Sequence, residues 1–181
     1  MTILLTFHTH DGQTERIAGR IARDLVERGF DVDHVKVADA PDPTGYQAVA
    51  IGAPVRFERH GRPITRFLRR HADALSEVPT ALFQVSMTSA CTDQKHVAKA
   101  DELVRRLLDR TGVQIDVVAK FAGALRYSQY GWVTSRIMRA IAEREGHATD
   151  TSRDYECTDW HAVDRFAEEI AALASAKVDA S

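Results

Sequence analysis

A doubly wound α/β domain, with one parallel sheet of five strands in the order 2-1-3-4-5 and helices on both faces, is the fold class the sequence predicts. Three observations lead there. Short apolar runs alternate with segments whose apolar residues recur at helical spacing, the pattern of strands joined by helical crossovers. The runs at residues 2–7, 46–53 and 80–87 are apolar almost throughout, as expected for strands buried on both faces. A tight turn of hydroxyls, one Gly and one acid then joins the first run to the first helical segment, where ligands bind in such sheets.

Each element follows from local pattern. Residues 2–7 form the first strand. From Glu15 onward Ile17, Ile21 and Leu25 mark one helix face, and Gly29 after Arg28 is placed to end that helix. Residues 31–37 alternate polar residues with Val32, Val35 and Val37, a partly exposed second strand. The segment 40–45 carries two Pro and a Gly and reads as a loop. The third strand, 46–53, ends in Gly52-Ala53-Pro54. A helix follows with Pro63 in its first turn and Ile64, Phe67, Leu68, His71 and Leu75 on one face. Residues 80–87 form the fourth strand. A helix from about Lys95 to Arg110 buries Leu103, Val104, Leu107 and Leu108, and residues 113–125 begin the fifth strand. The last helix starts near Thr158-Asp159, either of which can cap it, and buries Trp160, Val163, Phe166, Ala167, Ile170 and Leu173. About thirty residues intervene between Ala124 and Thr158, well beyond a normal connection, which marks a functional insertion.

The bulk properties narrow the class. One domain over residues 1–175, with 126–153 inserted and 176–181 as a tail, suits a chain of 181 residues. A net charge of -2 gives no argument for nucleic-acid binding, and no nucleic-acid partner is expected. Cys91 and Cys157 form no C-x-x-C pair and read as isolated reduced thiols. The first residues enter a core strand at once, so no signal peptide is expected, and no apolar run approaches the ~20 residues that span a bilayer. His8 and His10 share one face of an extended segment, but no further ligands stand at metal-site spacing, so no metal is expected.

The turn Thr9-His10-Asp11-Gly12-Gln13-Thr14 carries the chemistry. It lacks the Gly-Lys-Ser/Thr of a Walker loop and has one Gly where a dinucleotide fingerprint needs three. Its N–H and O–H groups, backed by a helix N-terminus, can still cradle a phosphate. The bland alternative is a β–α turn whose hydroxyls cap their own helix, although capping needs only one of them.

This loop resembles the FMN-phosphate loop of flavodoxins. Further motifs follow in order: Ile51-Gly52-Ala53 leading to Val55-Arg56-Phe57, then Ala122-Gly123-Ala124-Leu125-Arg126-Tyr127, Thr149-Asp150-Thr151, and Thr158-Asp159-Trp160. Together they resemble the menaquinone-dependent, oxygen-independent protoporphyrinogen IX dehydrogenases of bacterial haem synthesis. The resemblance implies a flavodoxin-like fold with an insertion in strand five, resuming near 154–158. It implies FMN as cofactor, protoporphyrinogen IX as substrate, and menaquinone or ubiquinone as acceptor. The redox chemistry would belong to the flavin, and no conspicuous acid–base pair is expected or found.

Carried over residue by residue, the resemblance places Thr9, Asp11, Gly12, Gln13 and Thr14 around the FMN phosphate, with His10 where related sequences can carry Arg. Pro54, Val55, Arg56 and Phe57 would flank one side of the isoalloxazine, with Phe57 a stacking candidate. Ser86, Met87 and Thr88 would reach its edge, and Gly123, Ala124, Leu125, Arg126 and Tyr127 would close the other side. Arg126 is the candidate for the substrate propionates or a flavin carbonyl, its planar fork matching carboxylate oxygens, against the alternative of a surface ion pair.

Residues 124–142 hold Arg126, Arg136 and Arg139 and no acid, together with Tyr127, Tyr130, Trp132, Ile137, Met138 and Ile141. That composition suits contact of the 126–142 segment with a membrane surface or quinone, against the alternatives of packing on its own domain or a homo-oligomer contact. The expected location is the cytoplasm, peripheral on the inner face of the membrane. Two other functions remain open at this stage: a flavodoxin-like quinone reductase or electron carrier, and a non-catalytic interaction protein on the same fold.

Overall fold

A computed structural model of the protein describes residues 1–86, 94–125 and 155–179. Its strands are β1 (Thr2–Phe7), β2 (Asp31–Lys36), β3 (Ala48–Arg56), β4 (Arg59–His60), β5 (Thr80–Ser86), β6 (Val117–Ala122), β7 (Ala124–Leu125) and β8 (Tyr155–Glu156). Its helices are α1 (Gln13–Glu27), α2 (Arg62–Arg70), α3 (Ala72–Ser76), α4 (Gln94–Thr111) and α5 (Trp160–Asp179). Helix α5 continues through residues 176–179, which the sequence reading assigned to a tail.

The main sheet runs β2-β1-β3-β5-β6, all parallel, which is the expected 2-1-3-4-5 order once the short β4 is set aside. Alternation along each strand sends its residues to two cores. Ile3, Leu5 and Phe7 of β1 and Phe83 of β5 face α1 and α5, meeting Ile17, Ile21, Val163, Phe166 and Ile170. Leu4, Val49, Ile51 and Leu82 face the other way, onto Ile64, Leu68, Val104 and Leu107. Each fully buried Leu, Ile or Phe of this kind contributes about 1.5–3 kcal/mol. Phe83, Phe121 and Phe166 stack mutually edge-on or tilted, with centroids 5.7–6.0 Å apart.

Gly52 in β3 lies under this aromatic group. A Cβ there would overlap the Phe83 ring and stand 2.9 Å from Phe7 Cβ. Gly52→Ala is therefore expected to cost about 1–3 kcal/mol through overpacking. The thermal midpoint should fall by roughly 2–4 °C per kcal/mol in a domain of this size. Phe83→Leu should cost much less in the Gly52→Ala background than in the wild type, because it removes the colliding ring. Additive losses measured by thermal unfolding would show that the ring is not the constraint.

Three differences from the sequence reading concern boundaries. The helix expected across 63–75 breaks at His71, whose backbone leaves the helical region at φ -114°, ψ 22°. Its ring packs on Phe67 and its Nδ1 lies 3.4 Å from Asp42 Oδ2 in a loop, a tertiary contact with no Gly or Pro to announce it. The fifth strand stops at Ala122 rather than Leu125, because Ala124 and Leu125 pair with β8 instead of continuing along β5. The expected resumption at 154–158 does not rejoin the main sheet: Tyr155–Glu156 pairs antiparallel with Ala124–Leu125 in a separate two-stranded ribbon. At the head of α5, Asp159 Oδ1 accepts the N–H groups of His161 and Ala162, which makes Asp159 the cap. Among the described residues no helix is long and apolar enough to cross a membrane.

Candidate functional site

The turns that follow β1, β3 and β6 leave the carboxyl ends of parallel strands, where ligands bind in such sheets. After β1 the chain turns at Gly12, which takes φ 78°, a left-handed conformation open to Gly at little cost. Its N–H donates to Thr9 Oγ1 at 2.9 Å, closing the turn. Gly12 is also the N-cap of α1 and brings no side chain to cap it, and the positive end of a helix favours an anion. Thr14 is buried in the first turn, and Glu15 is the acid there. Gly12, the uncapped helix and the hydroxyls of Thr9 and Thr14 have the donor chemistry of a phosphomonoester cradle, so the residues present fit FMN.

Gln13 ties this cradle to the far side of the crevice. Its Nε2 donates to Thr158 Oγ1 at 2.9 Å, and that hydroxyl donates to the Ala122 carbonyl at 2.8 Å. Arg16 Nη1 donates to Gln13 Oε1 at 3.4 Å, while the Arg16 guanidinium lies 5.7 Å over the Trp160 ring. Trp160, expected in the core, is only partly buried and packs at the core's edge. Thr158, expected only as a helix cap, instead joins the phosphate turn to the end of β6. It stands in the Thr-Asp-Trp motif, but nothing local shows that it bonds across the crevice.

The segment after β3 is a hairpin rather than a loop. Val55 pairs with His60 and Arg56 with Arg59, around a two-residue turn at Phe57 and Glu58. Both turn residues have positive φ, 49° and 57°, the geometry of the tight hairpin turns usually built from Asn-Gly. Two L-residues in that region cost roughly 1–2 kcal/mol each. The turn holds Phe57 out into solvent, 65 % exposed, with the Arg56 guanidinium 5.5 Å over its ring. Pro54 is buried in the sheet, and Val55 and Arg56 are half-buried. An exposed aromatic on a strained turn beside the crevice suits a stacking role.

Ser86 ends β5, buried, and its carbonyl accepts the Gly123 N–H at 3.1 Å; the Gly123 carbonyl accepts the Cys157 N–H at 3.3 Å. Ala124 and Leu125 lie in the ribbon just beyond. Met87, Thr88, Arg126, Tyr127, Cys91 and the inserted segment 126–153 lie outside the described residues.

The rings of His8 and His10 meet edge-on at 4.7 Å, and burial followed by the nearby His10 lowers the His8 pKa. Among the described residues no third His, Cys, Asp or Glu joins them in a metal-holding group. His60 is more deeply buried. Burial pushes its pKa down to about 4, although the Gln84 amide opposes the shift, and its Nε2 makes no hydrogen bond. It is thus neutral near pH 7 in the fold. The unfolded chain, with a pKa near 6.5, binds the proton first as pH falls. Stability is therefore fully present above the unfolded value and is lost as pH drops toward 4, on the order of 2–3 kcal/mol. His60→Gln should reduce the stability difference between pH 7 and pH 4 by about that amount in urea titrations. Equal differences for variant and wild type would place the His60 ring in water.

An open, twisted parallel sheet with a one-Gly phosphate turn at its first β–α junction defines a class of nucleotide-binding α/β proteins. The sequence profile of the flavodoxin domain matches residues 4–152, and the chain belongs to that family. Within it the chain groups with the protoporphyrinogen IX dehydrogenases [quinone]. The protein of that name from Escherichia coli (strain K12) is 34% identical over 175 residues, covering 96% of each chain. Its namesake from Leishmania major is 31% identical over 173 residues, covering 94% of this chain and 74% of the other. Among solved structures, the flavodoxin of Streptococcus pneumonia TIGR4 superposes with a TM-score of 0.51 at 16% identity, covering 95% of this chain and 99% of that one, a likeness of fold.

Proposed function

We propose that the protein oxidises protoporphyrinogen IX to protoporphyrin IX with FMN as its cofactor and a quinone as electron acceptor. The observation that carries this reading is Gly12, at φ 78° on the uncapped start of α1 and braced by Thr9, in a chain that aligns end to end with dehydrogenases of that name. FMN, when bound, supplies the two-electron chemistry of successive oxidation steps. Thr9, His10, Asp11, Gly12, Gln13 and Thr14 hold its phosphate, with Gln13 kept in place by Thr158. Pro54, Val55, Arg56 and Phe57 flank the ring on one side. Ser86, Met87 and Thr88 meet its edge, and Gly123, Ala124, Leu125, Arg126 and Tyr127 close the other side. Arg126 holds a propionate or a flavin carbonyl. The insertion meets menaquinone or ubiquinone, and its arginines and aromatics suit the cytoplasmic surface of the membrane or a second subunit.

The cofactor assignment has a direct test. A single phosphate turn with one Gly seats a phosphomonoester and lacks the second Gly that a pyrophosphate needs. Protein purified in the dark should release FMN on denaturation. Release of FAD in preference would overturn the assignment.

A further inference from the structure

The hairpin also borders a second concavity, of about 340 Å³. Arg59 and His60 form one wall and Thr65 of α2 another. The floor and far rim come from a single stripe of α4: Leu103, Arg106, Leu107 and Arg110. These positions are spaced three and four apart, so the helix itself places them on one face. Leu103 and Leu107 are buried, and two guanidiniums alternate with them along the stripe.

The lining carries three arginines, Arg59, Arg106 and Arg110, against one acid, Glu58. Glu58, the acid in the wall, is taken by Lys99, which holds its carboxyl below the ordinary range. Arg106 shares the exposed Glu102 one turn back, at 2.5 Å, a pair of a kind that contributes little. Arg59 and Arg110 have no carboxylate partner among the described residues; Arg110 contributes only its backbone carbonyl, to Arg69. Three guanidiniums over an apolar floor suit an anion carried on a largely apolar body, and carboxylates match the guanidinium fork. A compact inorganic anion would use the charges and leave the leucine floor unmatched.

The neighbouring surface supplies the apolar body's resting place. Phe57 stands at the tip of the same hairpin, and Arg59 is the cross-strand partner of Arg56 beside it. Strands lie about 5 Å apart, so a group held at Arg59 is one strand from the crevice wall.

We infer that this groove is the carboxylate subsite of the substrate: Arg59, Arg106 and Arg110 receive the propionates of the tetrapyrrole while its macrocycle lies across Phe57 toward the crevice. This rests on the function proposed above. It leaves Arg126 to the flavin carbonyl.

The test compares FMN-loaded wild type with the Arg59→Gln/Arg110→Gln double variant. These two side chains make no ion pair among the described residues, so the fold should tolerate the change. Protoporphyrin IX and its dimethyl ester, in the same detergent buffer, are titrated by quenching of tryptophan fluorescence. Wild type should bind the diacid at least about tenfold more tightly than the ester, as expected for charge-assisted contacts. The double variant should lose that preference, with ester affinity and FMN content unchanged. In turnover its KM for protoporphyrinogen should rise by a similar factor with kcat nearly constant, the sign of lost ground-state and transition-state binding alike. Equal binding of diacid and ester by wild type would overturn the subsite, as would a double variant that keeps the preference or the wild-type KM. A charge-dependent preference in a protein without quinone-linked oxidation would instead refute the proposed function and leave a tetrapyrrole-binding groove.

Discussion

Exchange of Gly12 for Val is expected to yield a folded, colourless protein. Gly12 sits at φ 78°, where a β-branched side chain pays the left-handed penalty and sets a Cβ at the mouth of the cradle. Relief of that strain would rotate the N–H away from Thr9 Oγ1 and misdirect the first turn of α1. The bonds at risk are charge-assisted, each worth about 1.5–3 kcal/mol. Loss of one or two corresponds to about tenfold to ten-thousandfold in FMN affinity. The core contains neither Gly12 nor its neighbours in the turn, so circular dichroism should remain that of the wild type. Gly12→Ala should fall between the two. Flavin absorbance per protein after gel filtration reads the result, and a yellow Val variant would remove this turn from the phosphate site.

The second large effect concerns the insertion. Deletion of residues 128–146, bridged by a short Gly/Ser loop, should leave folding and FMN binding largely intact. The ribbon of β7 and β8 pairs Ala124 with Glu156 and Leu125 with Tyr155, bringing together the stretches that flank the excised segment. The Gln13–Thr158–Ala122 chain holds the base of the same region independently. Quinone-linked oxidation should nevertheless fall more than about tenfold, the loss that accompanies some 1.5 kcal/mol of missing transition-state contact. Full quinone-linked activity in the deletion variant would make the insertion a structural or subunit-contact element.

What was legible in the sequence was local. Strands buried on both faces announce themselves as apolar runs, and the Thr9–Thr14 turn announces its chemistry through one Gly among donors. The features that were not legible depend on pairing across the fold. Phe57 and Glu58 carry no signal for a tight turn, because neither is Gly, Asn or Asp, and only the pairing of Val55 with His60 makes the hairpin. The fifth strand stops short because Ala124 and Leu125 pair with Glu156 and Tyr155, a partner distant in sequence. Thr158 reads as a cap until Gln13 is seen to reach it across 145 residues of chain. The α4 stripe was read for its leucines; the intervening Arg106 and Arg110 gain meaning only when Arg59 is set opposite them.

The function is tested most directly by an anaerobic assay in which the FMN-loaded protein is given protoporphyrinogen IX and a menaquinone or ubiquinone analogue. Protoporphyrin fluorescence and quinone reduction are followed together. Porphyrin should appear only when protein and quinone are both present, at one porphyrin for every three quinones reduced, with no requirement for oxygen. Quinone-independent porphyrin formation, or a flavin that reduces quinone yet leaves porphyrinogen untouched, would contradict a protoporphyrinogen dehydrogenase and point to a general quinone reductase on the same fold.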